Sequence, residues 1–142
     1  MSLASAHNEL RSFLPSGDES EDVARLYEIT DAIDADGIAT ECIAEMLAVF
    51  ERHPDADLGS PGPLVHCIET VPMESFIPDL AESLNRAPSL MTLWMADRCL
   101  RSNPTSDQAT VLCSAIRTIP EYDGASSELK SEATLTLATH GA

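Results

Sequence analysis

The sequence predicts an all-α fold built from antiparallel helix pairs stacked as a short α-solenoid of about six to eight helices. Three observations predict it. Apolar residues recur at helical spacing through most of the 142 residues, and no segment alternates as a strand does. Proline, glycine and small capping residues break the chain into helix-length pieces. A weak repeat links those pieces. With Pro54, Pro88 and Pro120 aligned as helix ends, Met46, Leu80 and Leu112 coincide, as do Phe50, Leu84 and Ile116, while Ile43, Ile77 and Val111 fall at or beside one another. The spacings are 34 and 32 residues, a period at which helix pairs bury their apolar faces on their neighbours.

In chain order, residues 1–18 form a short N-terminal helix or arm, with a helix over 6–14 stopped by Pro15-Ser16-Gly17. A second helix over 20–35 puts Val23, Leu26, Tyr27, Thr30 and Ile33 inside and Glu21, Asp22, Glu28, Asp31 and Asp34 outside. Asp36-Gly37 is a turn, and Asp36 can cap a helix over 38–53 that buries Ile38, Cys42, Ile43, Met46, Val49 and Phe50. Pro54 follows its end, and 55–59 is an acidic loop. Ser60-Pro61 reads as a helix start, and Pro63 still lies in a first turn. Ser75 starts the next helix, which puts Pro78 in its first turn as well. Pro88-Ser89 restarts the chain, and 90–101 is apolar around more than one stripe, so burial on most sides is expected. Thr105 with Gln108 forms a capping box for a helix running to Ile119. Pro120 ends it, and the segment 120–142 carries a C-terminal helix from Ser127 with Leu129, Ala133 and Leu137 inside. The expected organisation is one domain over 1–142.

The formal charge of −16 is the outstanding bulk number: eight basic residues, seven of them Arg, face twenty-four acids. A phosphate backbone needs cations opposite it, so nucleic acid is not an expected partner. Thirteen of the acids lie between Asp18 and Asp57 against only Arg25 and Arg52, a concentration that favours one acidic face over a uniform coat. Such a face attracts basic partners and speeds their capture; solubility or adaptation to high salt is the bland alternative. The N-terminus lacks a basic start and long apolar run, and no stretch approaches the roughly 20 apolar residues that span a bilayer. The expectation is a cytoplasmic monomer with no membrane contact. Cys42, Cys67, Cys99 and Cys113 fall inside helices with no CxxC, as small buried hydrophobes do in a reducing compartment.

No phosphate-binding glycine loop, GxSxG elbow or HExxH is present. His66, Cys67 and Glu69 share one helix but lack the second ligand pair that zinc wants. His66 is expected to be partly buried, donating to a backbone carbonyl or to Glu69. Glu41 and Glu45 are one turn apart and read as a solvated pair. Asp97 and Arg101 form an i,i+4 pair, and Arg98 can stack on Trp94. No catalytic residue, metal or cofactor is expected.

The central stretch also carries a resemblance. Gly59-Ser60-Pro61-Gly62-Pro63-Leu64-Val65-His66, with Ile68-Glu69 following, resembles the GPGPLVH-x-(I/V/L)-E pattern of small immunity proteins. So does Ser83-Leu84 with Arg86 and Pro88, followed by Thr92, Trp94-Met95 and Arg98. These proteins accompany bacterial polymorphic toxins, including contact-dependent growth inhibition systems. The likeness covers roughly residues 38–103. The chain departs from the pattern at Ala96-Asp97, where Leu-Asn is expected, and at Arg101-Ser102, where an Asn is. The resemblance implies a HEAT-like helical fold and a non-enzymatic protein that binds one cognate toxin C-terminal domain inside the producing cell. Many such domains are nucleases with basic clefts. The toxin contact is therefore expected on Asp31, Asp34, Asp36, Glu41, Glu45, Asp55 and Asp57, leaving Pro61, His66, Glu69, Trp94 and Arg98 architectural. A competing placement puts the contact on a groove around His66, Trp94 and Arg98. The alternative function is a general helical adaptor for a basic partner.

Overall fold

The computed structural model describes residues 1–141; Ala142, the last residue of the expected 120–142 segment, lies outside the described residues. Among the described residues the chain is all-helical, with eight α-helices, two single 3₁₀ turns and no strand. The helices are α1 (Leu3–Ser12), α2 (Glu19–Ala35), α3 (Ile43–Arg52), α4 (Pro63–Ile68), α5 (Met73–Arg86), α6 (Leu90–Arg101), α7 (Ser106–Arg117) and α8 (Ser127–Thr139). The 3₁₀ turns are Thr40–Cys42 and Ile119–Glu121. The chain clusters into two compact units, Met1–Phe76 and Ile77–Ala142.

In the first unit α1 packs on α2 and α3, α2 on α4, and α3 on α4, the arrangement of one helix pair laid on the next. His7 reaches the Glu41 carbonyl and Arg11 the Glu45 carboxylate, so α1 and α3 run in the same sense, as leading helices of successive antiparallel pairs do. Leu10, Leu26, Ile33, Ile43, Met46, Leu47, Leu64 and Ile68 fill the core. In the second unit α6, α7 and α8 pack on one another, and Leu80, Leu84, Met95 and Leu112 are buried.

Side-chain caps fix most helix starts. Ser2, Asp18, Ser89, Thr105 and Ser126 each accept a backbone N–H three residues on, and Ser89–Thr92 and Thr105–Gln108 close reciprocal capping boxes. The boundaries correct the sequence reading in several places. α1 begins at Leu3 because Ser2 caps it, and it ends before Phe13, which is extended. Asp36 closes α2 rather than capping the next helix, and its carboxylate takes the Met1 ammonium. With no capping side chain available, α3 enters through the 3₁₀ turn, in which the Cys42 N–H finds the Ala39 carbonyl. α5 starts at Met73, leaving Pro78 inside the helix; the Glu74 carbonyl loses its usual donor there, but both residues are exposed.

Ser60 does not start α4. Gly59 and Gly62 both have positive φ, the Ser60–Pro61 peptide is cis, and Gly62 occupies the N-cap with Pro63 as first helical residue. The loop doubles back so tightly that a Cβ on Gly62 would lie 2.1 Å from the Leu58 carbonyl oxygen.

α2 is rotated from its expected register. Asp22, Leu26, Ile29, Thr30 and Ile33 are its buried positions, and Tyr27 is 38% exposed. Asp22 lies inside because the backbone N–H of Ser16 donates to both carboxylate oxygens, at 2.9 and 3.0 Å. α6 is less enclosed than expected: Leu93, Met95, Ala96 and Cys99 are buried, but Leu90 and Trp94 are each 39% exposed. The repeat maps onto α3, α5 and α7. Its Met46–Leu80–Leu112 and Phe50–Leu84–Ile116 sets are buried, while Val111 turns outward.

Candidate functional site

Charge is distributed unevenly along the chain. Residues 1–76 carry sixteen acids against three arginines, whereas 77–142 carry eight acids against five basic residues. All seven acids expected to form the contact therefore belong to the first unit. Asp31, Asp34, Asp36, Glu41, Asp55 and Asp57 are exposed, and Glu45 is half-buried. Asp31 and Asp34 lie on the open side of α2, where Glu21, Tyr27 and Glu28 are exposed beside them.

At the seam where α2 meets α4, the Tyr27 hydroxyl lies 3.2 Å from His66 Nδ1. One helical turn away from Asp31, the Cys67 thiol donates to Asp34 Oδ1 at 3.3 Å. His66 was expected to be partly buried and bonded to a carbonyl or to Glu69. It is exposed instead, because Val65, Cys67 and Ile68 supply the inner side of this six-residue helix, which leaves residue 66 facing out toward Tyr27. The acidic placement and part of the rival placement thus meet on one surface, with Asp31 and Asp34 on α2 and His66 on α4. Trp94 and Arg98 belong to the other unit.

The two thiols nearest the seam are held protonated. Burial pushes the Cys67 thiol up to about 12, and the neighbouring Asp34 carboxylate adds to the effect. Cys42 is raised in the same direction by burial first, then by Glu41 and Glu45. Thiols held protonated are poor nucleophiles and poor metal ligands. All four cysteines are free and buried, as their helical positions predict.

Three of the seven acids are partly committed within the chain. Glu45 forms a bidentate pair with Arg11, whose Nη2 lies 2.6 Å from Oε1 and whose Nε lies 3.2 Å from both oxygens. Asp36 holds the N-terminal ammonium, and Asp34 accepts the Cys67 thiol. Glu41 contributes its backbone carbonyl to His7 and leaves its side chain in solvent. Asp55 and Asp57 project from the loop before α4, Pro61 lies in the tight turn, and Glu69 is the C-cap of α4.

In the second unit Arg98 stacks over Trp94 at 5.7 Å from the ring centroid, as their spacing predicts. Asp97 pairs with Arg101 at 2.9 Å and also meets His140 Nε2 at 2.8 Å, tying the end of α8 to α6. Sequence reasoning missed Tyr27 as a surface group by assigning it to the inner stripe. Its signal was available: a stripe of positions 22, 26, 29 and 33 is equally helical and leaves residue 27 outside.

Among the described residues no group of three or more His, Cys, Asp or Glu is placed to hold a metal ion. Among them too, no helix is long and apolar enough to cross a membrane. Comparison with models of protein families, with curated proteins and with solved structures finds no match to this chain.

Proposed function

We propose that this chain is an immunity-type binding protein. Its acidic α2 face docks on a basic toxin domain and occludes that domain's cleft, with no reaction of its own. The observation that carries the reading is the open side of α2. Glu28, Asp31 and Asp34 stand there beside an aromatic hydroxyl that His66 helps to hold in place. Carboxylates around a positioned tyrosine suit a basic protein surface: the charges steer the encounter, and the ring supplies rigid contact area. The resemblance of the 59–69 and 83–98 stretches to immunity proteins supports the toxin as the partner's class.

The test is co-expression with the C-terminal domain of any large toxin-type protein found encoded beside this chain, read as complex formation and growth rescue. In the double variant Asp31→Arg with Asp34→Asn, the asparagine keeps an acceptor for the Cys67 thiol, so folding is preserved. Binding should weaken by about 2–4 kcal/mol. A folded double variant that binds and rescues like the parent would overturn the placement of the contact. A toxin domain that the parent chain neither binds nor neutralises would overturn the function.

A further inference from the structure

On the α1 edge of the same helix lies an open dimple of about 230 Å³, lined by Glu9, Ser12, Phe13, Arg25, Glu28 and Ile29. Phe13 and Ile29 are 2% and 7% exposed, so the floor is core hydrocarbon. Arg25 lies in the wall with its guanidinium 4.8 Å from the Phe13 ring centroid, donating to the Leu14 carbonyl at 3.0 Å and lying 3.5 Å from Asp22. The Asp22 carboxylate balances that cation. Glu9 and Glu28 are exposed and make no ion pair among the described residues. The hollow therefore combines an apolar floor with two uncompensated carboxylates.

We propose that this dimple is the socket for one long cationic side chain, an arginine or lysine, projecting from the basic protein that docks on α2. The inference rests on the immunity-type reading and names the anchor within it. Long basic side chains need this combination: a hydrocarbon surface for the methylene stem and anions for the head. The size agrees. A cavity of about 150 Å³ admits a benzene molecule, so 230 Å³ holds one such stem with its head but not a folded segment. Charge agrees as well, since the unit carries sixteen acids against three arginines and Glu28 continues the acidic row of Asp31 and Asp34. The Arg25–Phe13 stack shows that this floor already accepts a guanidinium plane along one side.

The test uses the full chain and two peptides, hexa-arginine and hexa-citrulline, which match in shape and differ in charge. In a ¹⁵N-resolved titration at 0.15 M salt, hexa-arginine should shift the amides around Ser12, Phe13 and Ile29, and hexa-citrulline should not. Glu9→Gln with Glu28→Gln should weaken the arginine peptide about fivefold. Ser12→Trp, which fills the hollow and leaves every charge in place, should abolish the local shifts. Asp55→Asn with Asp57→Asn should leave them unchanged. Shifts spread evenly over all the acids, or local shifts that persist in Ser12→Trp, would overturn the socket. With the toxin domain in hand, equal affinity for the parent and the Glu9→Gln/Glu28→Gln variant also ends the socket while sparing the immunity reading. Failure of the parent to bind any such domain ends that reading, and the peptide titration still decides the socket.

Discussion

Asp22 is the residue where a small misreading has the largest physical consequence. On a helix rich in acids it reads as one more outward carboxylate, yet it is buried. Burial by itself pushes its carboxyl up. The backbone N–H and hydroxyl of Ser16, the N–H of Gly17 and the Arg25 charge pull it down further, and the carboxyl ends below its ordinary range. The sign of the linkage follows. The unfolded chain takes up this proton at a higher pH than the folded chain does. Asp22 therefore stabilises the fold fully above the ordinary carboxylate pKa of about 3.9, and that contribution is lost as pH falls through its depressed folded value. Asp22→Asn should lower the urea midpoint clearly at pH 7. The gap between variant and parent should close as pH falls below the ordinary carboxylate range. A gap that does not change with pH would mean that the loop's bonds to the side chain do not depend on its charge.

Between residues and the whole lie the helices and the turns that aim them. Most helices were legible because their signals are local: a capping side chain three residues from the N–H it accepts, or an apolar row repeating within one segment. The Thr105–Gln108 box and the buried rows of α3, α5 and α7 belong to that kind. Two of the misses share one cause, a partner distant in sequence. Asp36 reads locally as a cap, but its carboxylate takes the Met1 ammonium. Tyr27 reads locally as core, but its hydroxyl has a surface partner 39 residues away. The hollow at Glu9 and Glu28 could not be read at all, because it exists only once α1 lies against α2. The turn into α4 is a different case, set by its own backbone. Ser60-Pro61 reads as the helix start, whereas Gly62 is the N-cap, with φ of 85° and a missing Cβ that makes room for the Leu58 carbonyl. Gly62→Ala combines an unfavourable backbone conformation with a clash against main chain that cannot rotate away. The expected loss is about 3 kcal/mol in chemical denaturation, and it should also loosen the α4 side of the Tyr27–His66 seam. A loss under about 0.5 kcal/mol, the size of an ordinary surface substitution, would show that the loop opens without strain on the rest.

For the whole molecule the net charge of −16 acts in two opposed directions, and salt separates them. The acids repel one another in the folded chain, and internal pairs such as Arg11–Glu45 and Asp97–Arg101 offset only part of that. Screening shortens from a Debye length of about 30 Å at 0.01 M to about 3 Å at 1 M. Repulsion spread over many exposed carboxylates therefore fades with added salt faster than contact pairs do. Raising NaCl from low to molar concentration should raise the thermal midpoint of the isolated chain by about 5 °C. The same change should slow capture of a basic partner by tenfold or more, because steering acts across the distances that salt screens. Stopped-flow association and thermal scans in one buffer series test both halves. If the fold gains stability with salt but the association rate does not fall, the acidity serves solubility or a saline environment and the partner is held by other groups. If the thermal midpoint falls along with the association rate, internal ion pairs outweigh the repulsion between acids in the folded chain, while the exposed acids still steer the partner.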